Sequence, residues 1–404
     1  MKKLIIIGSG ISGLASSYYL RKKFKIKIFE QNDYLGGHTH THCLINEKIY
    51  YDSGFIVFND RNYPNFIKLI NAIRTEYQKS NMSFSVTNKE INYEWAGKNL
   101  KTIFAIKNLF TKRYWKILKD IVKFSKLCDK DTAHLDYSLK NFLKKNNFSK
   151  EFINLYLLPM CSSIWSSDLE DIKNYNTSFI INFFKNHGLN NIITKRPTWF
   201  TIKNGSKSYI QNIIKIVKPE IYLNEKVVEI DQKNKFIKTI NKKKYKYDHL
   251  IFANHTNQVK KILKKPEKKQ LKLLNAVKYQ KNNVVIHTDQ NLMPKNIKNW
   301  SSWNYLYNNK KLVLTYWMNL LQNLSCKKNI FVTLNFNKVD KKSIIKKVTY
   351  EHPLFTKPLS KINKISQDAQ GINNIWFTGA WLGYGFHEDG VKSALKVRKL
   401  INAK

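Results

Sequence analysis

The 404-residue sequence predicts an α/β protein, and three neighbouring features carry that prediction. The apolar run LIIIG at residues 4–8 is typical of a buried parallel strand. Glycines then follow in the spacing Gly8, Gly10 and Gly13, and LASSYYL continues with helical periodicity. FKIKIFE reads as a second strand that ends at Glu30. Strand, glycine turn, helix and acid-terminated strand in this order are the fingerprint of a Rossmann-type dinucleotide-binding domain.

The residue types in this turn suit a dinucleotide. Gly8 permits the tight turn, Gly10 lets a pyrophosphate approach the backbone, and Gly13 lets the helix pack on the strand. The helix N-terminus offers free N–H groups and a positive dipole end to phosphates, and Glu30 is placed for the ribose hydroxyls. A glycine-rich turn without a ligand is the alternative. The predicted cofactor contacts here are Gly8, Ser9, Gly10, Ile11, Ser12, Gly13, Glu30 and Gln31.

A second set of glycines favours FAD over NAD. The pair Gly36-Gly37 in LGGHTHTH lies just beyond the acidic strand end, where it lets another backbone segment close over an extended dinucleotide. A third glycine, Gly54 in YDSGFIVFN, is expected to pass near the flavin. We therefore predict FAD as the cofactor.

Three histidines alternate in the same segment. His38, His40 and His42 would share one face of a strand. Metal binding is one interpretation, but no carboxylate or cysteine stands in register with them. We predict instead that they are polar residues lining the cofactor cleft, with His38 among the cofactor contacts, and we predict no metal site.

Charge and composition limit where the protein can be located and what it can bind. The formal net charge is +43, which reflects either compositional drift or a polyanionic partner such as a membrane surface. The 43% hydrophobic share excludes a disordered chain, and the four cysteines contain no C-x-x-C pair and are expected to be buried thiols. The N-terminal apolar stretch is short for a membrane span. We expect a cytoplasmic protein, with peripheral binding to the inner face of the membrane as an open possibility; nucleic acid is not expected, and the sequence identifies no protein partner.

Several longer stretches resemble the FAD-dependent amine-oxidase-like flavoproteins, and more closely a bacterial subgroup of NAD/FAD-binding proteins. They include GSGISGLA, LGGHTHTH, DSGFIVFNDRNYPN, LPMCSSIW and TGAWLGYGFHEDG. Genes of that subgroup tend to lie beside genes for cyclopropane-fatty-acyl-synthase-like methyltransferases, which implies lipid acyl chemistry. The resemblance implies a Rossmann-type FAD-binding domain with a discontinuous mixed sheet-and-helix substrate domain. The implied boundaries are 1–60, 200–258 and 366–404 for the FAD-binding domain, and 61–199 and 259–365 for the substrate domain.

The resemblance also assigns roles near the middle and the end of the chain. EIYLNEKVVEI at 220–230 is expected to be a pair of strands, with the backbone of Val227 holding the adenine. NNIWFTGAW, which contains Gly379, is expected to be the last strand of the FAD domain. Glu388 and Asp389 then open the last helix, where acids offset the positive dipole end. Gly390 is expected to leave room for the cofactor, and the helix start to point at the flavin.

Three departures argue against amine oxidation. Tyr34 stands where the family often has an arginine before Leu-Gly-Gly. Asn283 is the apparent match for the lysine that holds a water against the flavin in amine oxidases. The aromatic cage that holds an amine is doubtful, because its local candidates are Tyr384, Phe386 and His387. A strongly cationic protein also attracts cationic amines poorly.

The segment 108–128, NLFTKRYWKILKDIVKFSKLC, is predicted to be a basic amphipathic helix. Apolar residues recur at Phe110, Tyr114, Ile117, Ile121 and Phe124, and lysines recur on another face from Lys112 to Lys126. An ordinary surface helix is one interpretation. A peripheral anchor on anionic lipid is the other.

These features predict an FAD-dependent oxidoreductase that removes a hydride from a lipid acyl chain and so introduces or moves a double bond. His387 is the first candidate to move a proton, because its ordinary pKa suits that task, and Tyr384 is the second. The alternatives are a flavin amine oxidase, and an RNA-binding or non-catalytic flavoprotein.

Overall fold

The computed structural model describes residues 1–91, 93–96, 111–129, 135–187, 197–308 and 311–403. The strands in chain order are β1 Lys2–Ile7, β2 Phe24–Phe29, β3 Thr41–Leu44, β4 Ile49–Asp52, β5 Phe58–Asn59, β6 Tyr77–Lys79, β7 Phe84–Asn88, β8 Tyr93–Ala96, β9 Trp199–Ile202, β10 Glu220–Tyr222, β11 Val227–Asp231, β12 Phe236–Thr239, β13 Lys244–Lys246, β14 His249–Phe252, β15 Lys278–His287, β16 Trp303–Asn308, β17 Lys311–Trp317, β18 Phe331–Leu334, β19 Ile344–Leu354 and β20 Ile375–Phe377.

The α-helices alternate with these strands and gather between β8 and β9. They are α1 Ile11–Leu20, α2 Pro64–Ala72, α3 Lys112–Cys128, α4 Leu139–Lys145, α5 Lys150–Phe152, α6 Leu158–Trp165, α7 Leu169–Lys173, α8 Thr177–Asn186, α9 Lys207–Val217, α10 Thr256–Ile262, α11 Lys268–Leu274, α12 Met318–Leu321, α13 Leu359–Ala369 and α14 His387–Asn402. A π-helical turn at Ile153–Leu157 joins α5 to α6. Among the helices that the structure describes, none is long and apolar enough to cross a membrane.

A five-stranded parallel sheet confirms the Rossmann-type prediction. Its order is β10-β2-β1-β14-β20, and every pairing is parallel. The strands are apolar because both faces are covered, as the fully buried side chains of Leu4, Ile5 and Ile6 indicate. The C-terminal ends of β1, β2 and β14 therefore open towards one edge, where such sheets bind nucleotides.

Helices α1 and α14 lie side by side against this sheet and share its core. Gly390 makes that packing possible. A Cβ atom on Gly390 would lie 2.8 Å from Ile11 Cγ2 and from Ser12 Oγ. The space beside Gly390 is thus filled by α1, and the expectation that it leaves room for the cofactor is wrong.

The rest of the chain is built around a seven-stranded mixed sheet of order β19-β15-β18-β17-β16-β7-β8. Its pairings are antiparallel except for β16 with β7, which is parallel. Helices α3 to α8 share a separate apolar core beside it. The predicted domain boundaries stay predictions; the one after residue 199 falls inside β9, and the one before residue 366 falls inside α13.

The predicted strand pair at 220–230 is wrong in its pairing. Both strands exist, but β10 pairs with β2 in the parallel sheet and β11 pairs with β12 in a separate three-stranded sheet. Asn224 carries a left-handed backbone between them, with φ of 54°. The chain turns there and crosses from one sheet to the other instead of folding back on itself.

Candidate functional site

A cavity of about 1540 Å³ connects the open edge of the parallel sheet with the seven-stranded sheet. A pocket that holds one drug-sized ligand usually measures about 300–1,000 Å³. The cavity therefore offers room for a large cofactor together with a second molecule. Its nucleotide end is bordered by the glycine turn and by the segments that follow β2 and β14.

The glycine turn is shaped to take a ligand against its backbone. Gly8 has a φ of +100°, and a Cβ there would lie 2.9 Å from the Ala253 carbonyl oxygen, so the turn needs glycine. A Cβ on Gly10 would meet only the Gly36 carbonyl oxygen, at 3.9 Å, so that side of the turn is open to the cavity. The N-terminus of α1 carries no side-chain cap and no acidic residue in its first turn. It therefore presents N–H groups and a positive dipole end to an anion.

The Glu30 carboxylate ties the turn to the end of β2. Glu30 Oε2 accepts hydrogen bonds from Ser9 N at 3.0 Å and from Ser9 Oγ at 2.7 Å, and Oε1 accepts one from Asn32 N at 3.0 Å. Ser9 Oγ in turn accepts from Gly36 N at 3.1 Å, which brings the second glycine segment onto the first. The spacing that the sequence predicted is thus a physical contact, and Glu30 borders the cavity.

Orphaned polar atoms border the same cavity. Glu225 Oε1, Asn254 Oδ1, Asn257 Oδ1 and Trp381 Nε1 are buried without a protein partner, and all four residues line the cavity. Buried polar atoms are rarely left unsatisfied in native proteins, so these atoms fit a polar ligand such as a nucleotide cofactor. The open cradle at Gly10 and these atoms together fit FAD.

Most of the predicted site residues meet at this cavity. The predicted residues that line it are Gly8, Ser9, Gly10, Ile11, Ser12, Glu30, Gln31, Gly36, Gly37, His38, Gly54, Val227, Gly379, Tyr384 and His387. The others do not line it: Gly13, Glu388, Asp389 and Gly390.

These four residues make structural contacts outside the cavity. Gly13 packs against the glycine turn, since a Cβ there would lie 2.1 Å from the Gly8 carbonyl oxygen. Asp389 Oδ2 accepts from Tyr384 N and Phe386 N, both at 3.0 Å, which fixes the loop before α14. Glu388 faces away from the cavity towards the start of α2.

His387 opens α14 at the cavity wall. Its ring stacks on Phe55 with 3.5 Å between centroids, and its Nε2 lies 2.9 Å from Thr39 Oγ1 and 3.0 Å from Tyr209 Oη. Burial holds the pKa of His387 well below its usual range, so the imidazole is neutral at pH 7. Thr39 and Tyr209 were not singled out in the sequence, because their approach to His387 depends on packing between segments far apart in the chain.

Tyr384 lies in an aromatic group beside His387. Its ring centroid is 5.0 Å from that of Phe179 and 5.6 Å from that of Phe183. Burial raises the pKa of Tyr384 to about 12, so the phenol is neutral and can only donate or accept a hydrogen bond near pH 7.

Sequence reasoning missed a polar cluster where β15 and β19 reach the cavity. His38 Nε2 lies 3.0 Å from the Glu351 carbonyl oxygen, and His255 Nδ1 lies 3.5 Å from Glu351 Oε2. The hydrogen bond from His255 lowers the pKa of Glu351 to about 2. Lys281 pairs with Glu351 across the strands and lines the cavity.

The expected water-holding position is therefore misplaced. Asn283 does not line the cavity; its side chain accepts from Thr349 Oγ1 at 3.1 Å, and its backbone N–H donates to Asn335. Lys281, two residues earlier on β15, is the residue of that strand with a cationic side chain at the cavity. A lysine of β15 thus reaches the cavity, and the departure from amine oxidases that was predicted at Asn283 is wrong.

The cysteines are thiols in different surroundings. Cys128 and Cys161 are buried, whereas Cys43 is exposed and Cys326 is intermediate, so the expectation of four buried thiols is wrong for these two. Within the described ranges, no group of three or more His, Cys, Asp or Glu residues is arranged to hold a metal ion.

The parallel sheet, the glycine cradle and the adjoining cavity define a flavoprotein-type nucleotide site. A family model described as flavin containing amine oxidoreductase matches residues 11–320. The chain therefore belongs to the flavin containing amine oxidoreductases and is an FAD-dependent oxidoreductase with the predicted amine-oxidase-like fold. The association with cyclopropane-fatty-acyl-synthase-like genes stays a prediction.

Three comparisons show what the chain is similar to. It is 24% identical over 345 residues to the protoporphyrinogen oxidase of Dictyostelium discoideum, covering 69% of this chain and 65% of that one. It is 58% identical over 41 residues to the 1-hydroxycarotenoid 3,4-desaturase of Flavobacterium sp. (strain P99-3), covering 10% of this chain and 8% of that one. The chain thus spans less than two thirds of either relative. The crystal structure of a CLA-producing fatty acid isomerase from P. acnes superposes with a TM-score of 0.68 at 12% identity, covering 100% of this chain and 98% of that one.

Proposed function

We propose that this FAD-dependent oxidoreductase acts on an unsaturated lipid acyl chain and either desaturates it or moves its double bond. The observation that carries the proposal is the apolar arm of the cavity beyond the FAD cradle. This arm is lined by aliphatic side chains from helices α3 and α6, the π-helical turn between α5 and α6, and strands β15 and β18. They include Ile117, Ile121, Leu155, Met160, Val284 and Leu334.

The wall of this arm suits a hydrocarbon chain and not a charged substrate. A methylene chain that leaves water for an apolar wall gains about 0.8 kcal/mol per buried CH₂. The cavity carries cationic side chains at Lys79, Lys226, Lys261 and Lys281 and carboxylates at Glu30, Glu225 and Glu351, so its charge does not by itself select against an amine.

Two of the similar proteins are consistent with an apolar substrate. By their names, one is a fatty acid isomerase and the other is a carotenoid desaturase. The first likeness concerns the fold, and the second covers a short segment. Both likenesses support an apolar substrate, but the proposal depends on the apolar arm of the cavity.

The chain's own residues would hold the reacting partners and keep water out. The glycine turn and the start of α1 would hold the FAD pyrophosphate, and Glu30 would border its ribose. Bound FAD supplies a hydride acceptor. The start of α14 borders the cavity at His387, where the positive dipole end can stabilise negative charge.

Proton movement is assigned to His387, with Tyr384 as the second candidate. The neutral imidazole can accept a proton, but burial lowers its pKa and makes it a weaker base than the ordinary pKa expected from the sequence. The Nε2 contacts to Thr39 and Tyr209 hold its ring in one orientation. Tyr384 would contribute by donating a hydrogen bond or by shaping the wall, because its phenol is neutral. Desaturation needs one hydride and one proton removed, whereas isomerisation returns the hydride to the chain.

Anaerobic bleaching of the flavin tests the substrate class. Purified holoprotein is mixed with detergent-dispersed unsaturated lipid, with saturated lipid of the same headgroup, and with a primary amine. We expect bleaching or a shifted double bond with the unsaturated chain only, since an allylic C–H is the easiest hydride donor. Rapid bleaching by the amine and none by any lipid would establish the amine-oxidase alternative.

A matched pair of Leu→Trp variants tests the apolar arm. Leu118→Trp places a large ring in the cavity wall, whereas Leu271→Trp adds the same ring on α11, at a position that is 39% exposed and does not line the cavity. We expect the first variant to lose at least tenfold in bleaching rate while keeping its flavin absorbance, and the second to behave like the unaltered protein. Equal rates in both variants would remove the arm from the substrate site.

A further inference from the structure

Helix α3 has two unlike faces, and each borders a different environment. Its inner face contributes Tyr114, Ile117, Leu118 and Ile121 to the cavity wall. Its outer face is open to solvent. Because an α-helix with its side chains is about 10–12 Å across, the apolar arm is one helix away from the surface here.

The outer face combines lysines with apolar side chains. Trp115 is 57% exposed and Val122, two turns later on the same face, is 51% exposed. Most of the helix's lysines surround them. The exposed lysines are Lys112, Lys116, Lys119 and Lys126. An ordinary solvated face does not require a tryptophan and a valine at its centre.

Acidic groups do little to neutralise this face. The helix sequence contains six basic residues and one acidic residue, Asp120, which is buried and accepts from Ser149 N. Lys116 pairs with Glu151 at 3.0 Å. Lys123 donates to the Asn146 carbonyl oxygen and takes no part in the exposed set. Positive charge therefore predominates along the face.

We propose that the outer face of α3 binds the surface of an anionic bilayer, so that acyl chains reach the cavity from the membrane. Each lysine beside an anionic surface strengthens binding about fivefold. A tryptophan and an aliphatic residue enter the boundary between headgroups and acyl chains, about 5–10 Å deep. The face has one exposed ring, Trp115, beside an aliphatic side chain, Val122, whereas single-strand binding stacks successive bases on several rings, so the face fits lipid better than RNA.

This inference rests on the proposed function for the nature of the substrate, but the binding itself is independent of turnover. The docked face would bring acyl chains within about one helix diameter of the cavity wall. The hairpin of β7 and β8 adjoins the same helix, since Arg113 lies 5.8 Å over the ring of Tyr93, which also lines the cavity. Charge, apolar exposure and proximity to the cavity thus coincide on one element.

Vesicle flotation with the full-length holoprotein tests the proposal. The vesicles contain phosphatidylcholine with or without phosphatidylglycerol, at low and high salt. Wild type should float with the anionic vesicles at low salt only. Changing Lys112, Lys119 and Lys126 together to Glu should weaken binding roughly a hundredfold or more. Trp115→Ser with Val122→Ser should weaken low-salt binding several-fold and leave the slope of its salt dependence unchanged, because that contribution is apolar.

A charge-matched control lies on α11. Changing Lys268, Lys269 and Lys272 together to Glu makes the same change in net charge on another exposed basic helix, and should leave flotation near the wild-type value. Equal loss in the two triple variants would assign binding to overall charge and overturn the proposal. So would unchanged flotation of the α3 variant, or loss of tRNA binding alone in a gel shift. Bleaching by detergent-dispersed lipid, measured on the same variants, reports separately on the proposed function.

Discussion

Glu388 and Asn65 join the starts of two helices. Glu388 lies in the first turn of α14, yet its carboxylate accepts from Asn65 N at 3.0 Å, from Asn65 Nδ2 at 2.6 Å and from Phe66 N at 2.9 Å. These backbone N–H groups belong to the first turn of α2, where helices leave their donors unpaired. One buried carboxylate in the first turn of α14 therefore caps the start of α2.

Removing this carboxylate is expected to destabilise the fold. Glu388→Ala leaves the N–H groups of Asn65 and Phe66 buried and unpaired, at a cost of about 3 kcal/mol or more in the free energy of unfolding. Glu388→Gln keeps one acceptor oxygen and should cost about half as much. Urea unfolding monitored by circular dichroism measures both. Glu170→Ala, at a side chain that is 82% exposed, is the control and should cost less than about 0.5 kcal/mol.

Two glycine variants should separate cofactor binding from folding. Gly10→Val places its side chain in the open cradle, so we expect a folded protein with the unfolding temperature of the FAD-free wild type and no flavin absorbance. Gly13→Val drives its Cβ into the Gly8 carbonyl oxygen, so we expect a poorly folded protein. A yellow Gly10→Val protein that retains FAD through gel filtration would contradict this placement of the pyrophosphate.

His387 should control the pH dependence of flavin reduction. Its pKa lies well below the usual range, so the imidazole is already neutral at pH 6–8 and the bleaching rate should be flat there. The rate should fall only at more acid pH, where the ring takes up a proton and can no longer act as a base. His387→Gln should keep FAD, slow bleaching about a hundredfold and remove the acid limb. An unchanged pH profile in the variant would assign His387 to packing alone.

Asp389 should make the fold less stable as the pH rises. Burial raises its folded-state pKa to about 6 from an ordinary value of 3.8. Between those values the unfolded chain releases a proton that the folded protein keeps, so stability falls with pH by up to about 3 kcal/mol and is constant above pH 6. Asp389→Asn can still accept from Tyr384 N and Phe386 N but does not titrate. The difference in unfolding free energy between wild type and variant, measured from pH 4 to pH 7, should show this fall; a constant difference would refute it.

The N-terminal nucleotide site could be predicted because its information is local. Apolar runs, glycine spacing and helical periodicity all occur within the first 30 residues, and each has one structural meaning there. Glu30 was predicted to take the ribose hydroxyls, and that role stays a prediction; the structure places its carboxylate in a hydrogen bond with Ser9 of the glycine turn. The FAD assignment followed from the Gly36-Gly37 pair and is confirmed by the family.

Features that depend on pairing between distant segments could not be predicted. The strand at Glu220–Tyr222 was recognised, but its partner is β2, about 190 residues earlier, and no local pattern encodes that register. The same holds for Lys281, because the pairing of β15 with β19 decides which residue of the strand reaches the cavity. On α3, the periodicity predicted the buried stripe from Tyr114 onwards, while Phe110 lies outside the described residues. Trp115 and Val122 lie on the opposite side of the helix from that stripe and are exposed, as its periodicity requires.

The order of strands in the parallel sheet constrains how the protein can be made. Strand β1 is synthesised well before its neighbour β14 and the edge strand β20, which come from residues 249–252 and 375–377. Helix α14, which packs on α1, ends at Asn402. A nascent chain on the ribosome therefore cannot complete the nucleotide cradle until β14, β20 and α14 have emerged. Strand β1 and helix α1 must wait with apolar surface uncovered, which makes folding slow and exposes the chain to aggregation. Flavin loading should accordingly follow the synthesis of α14, and a chain truncated before β20 should depend on chaperones and remain colourless.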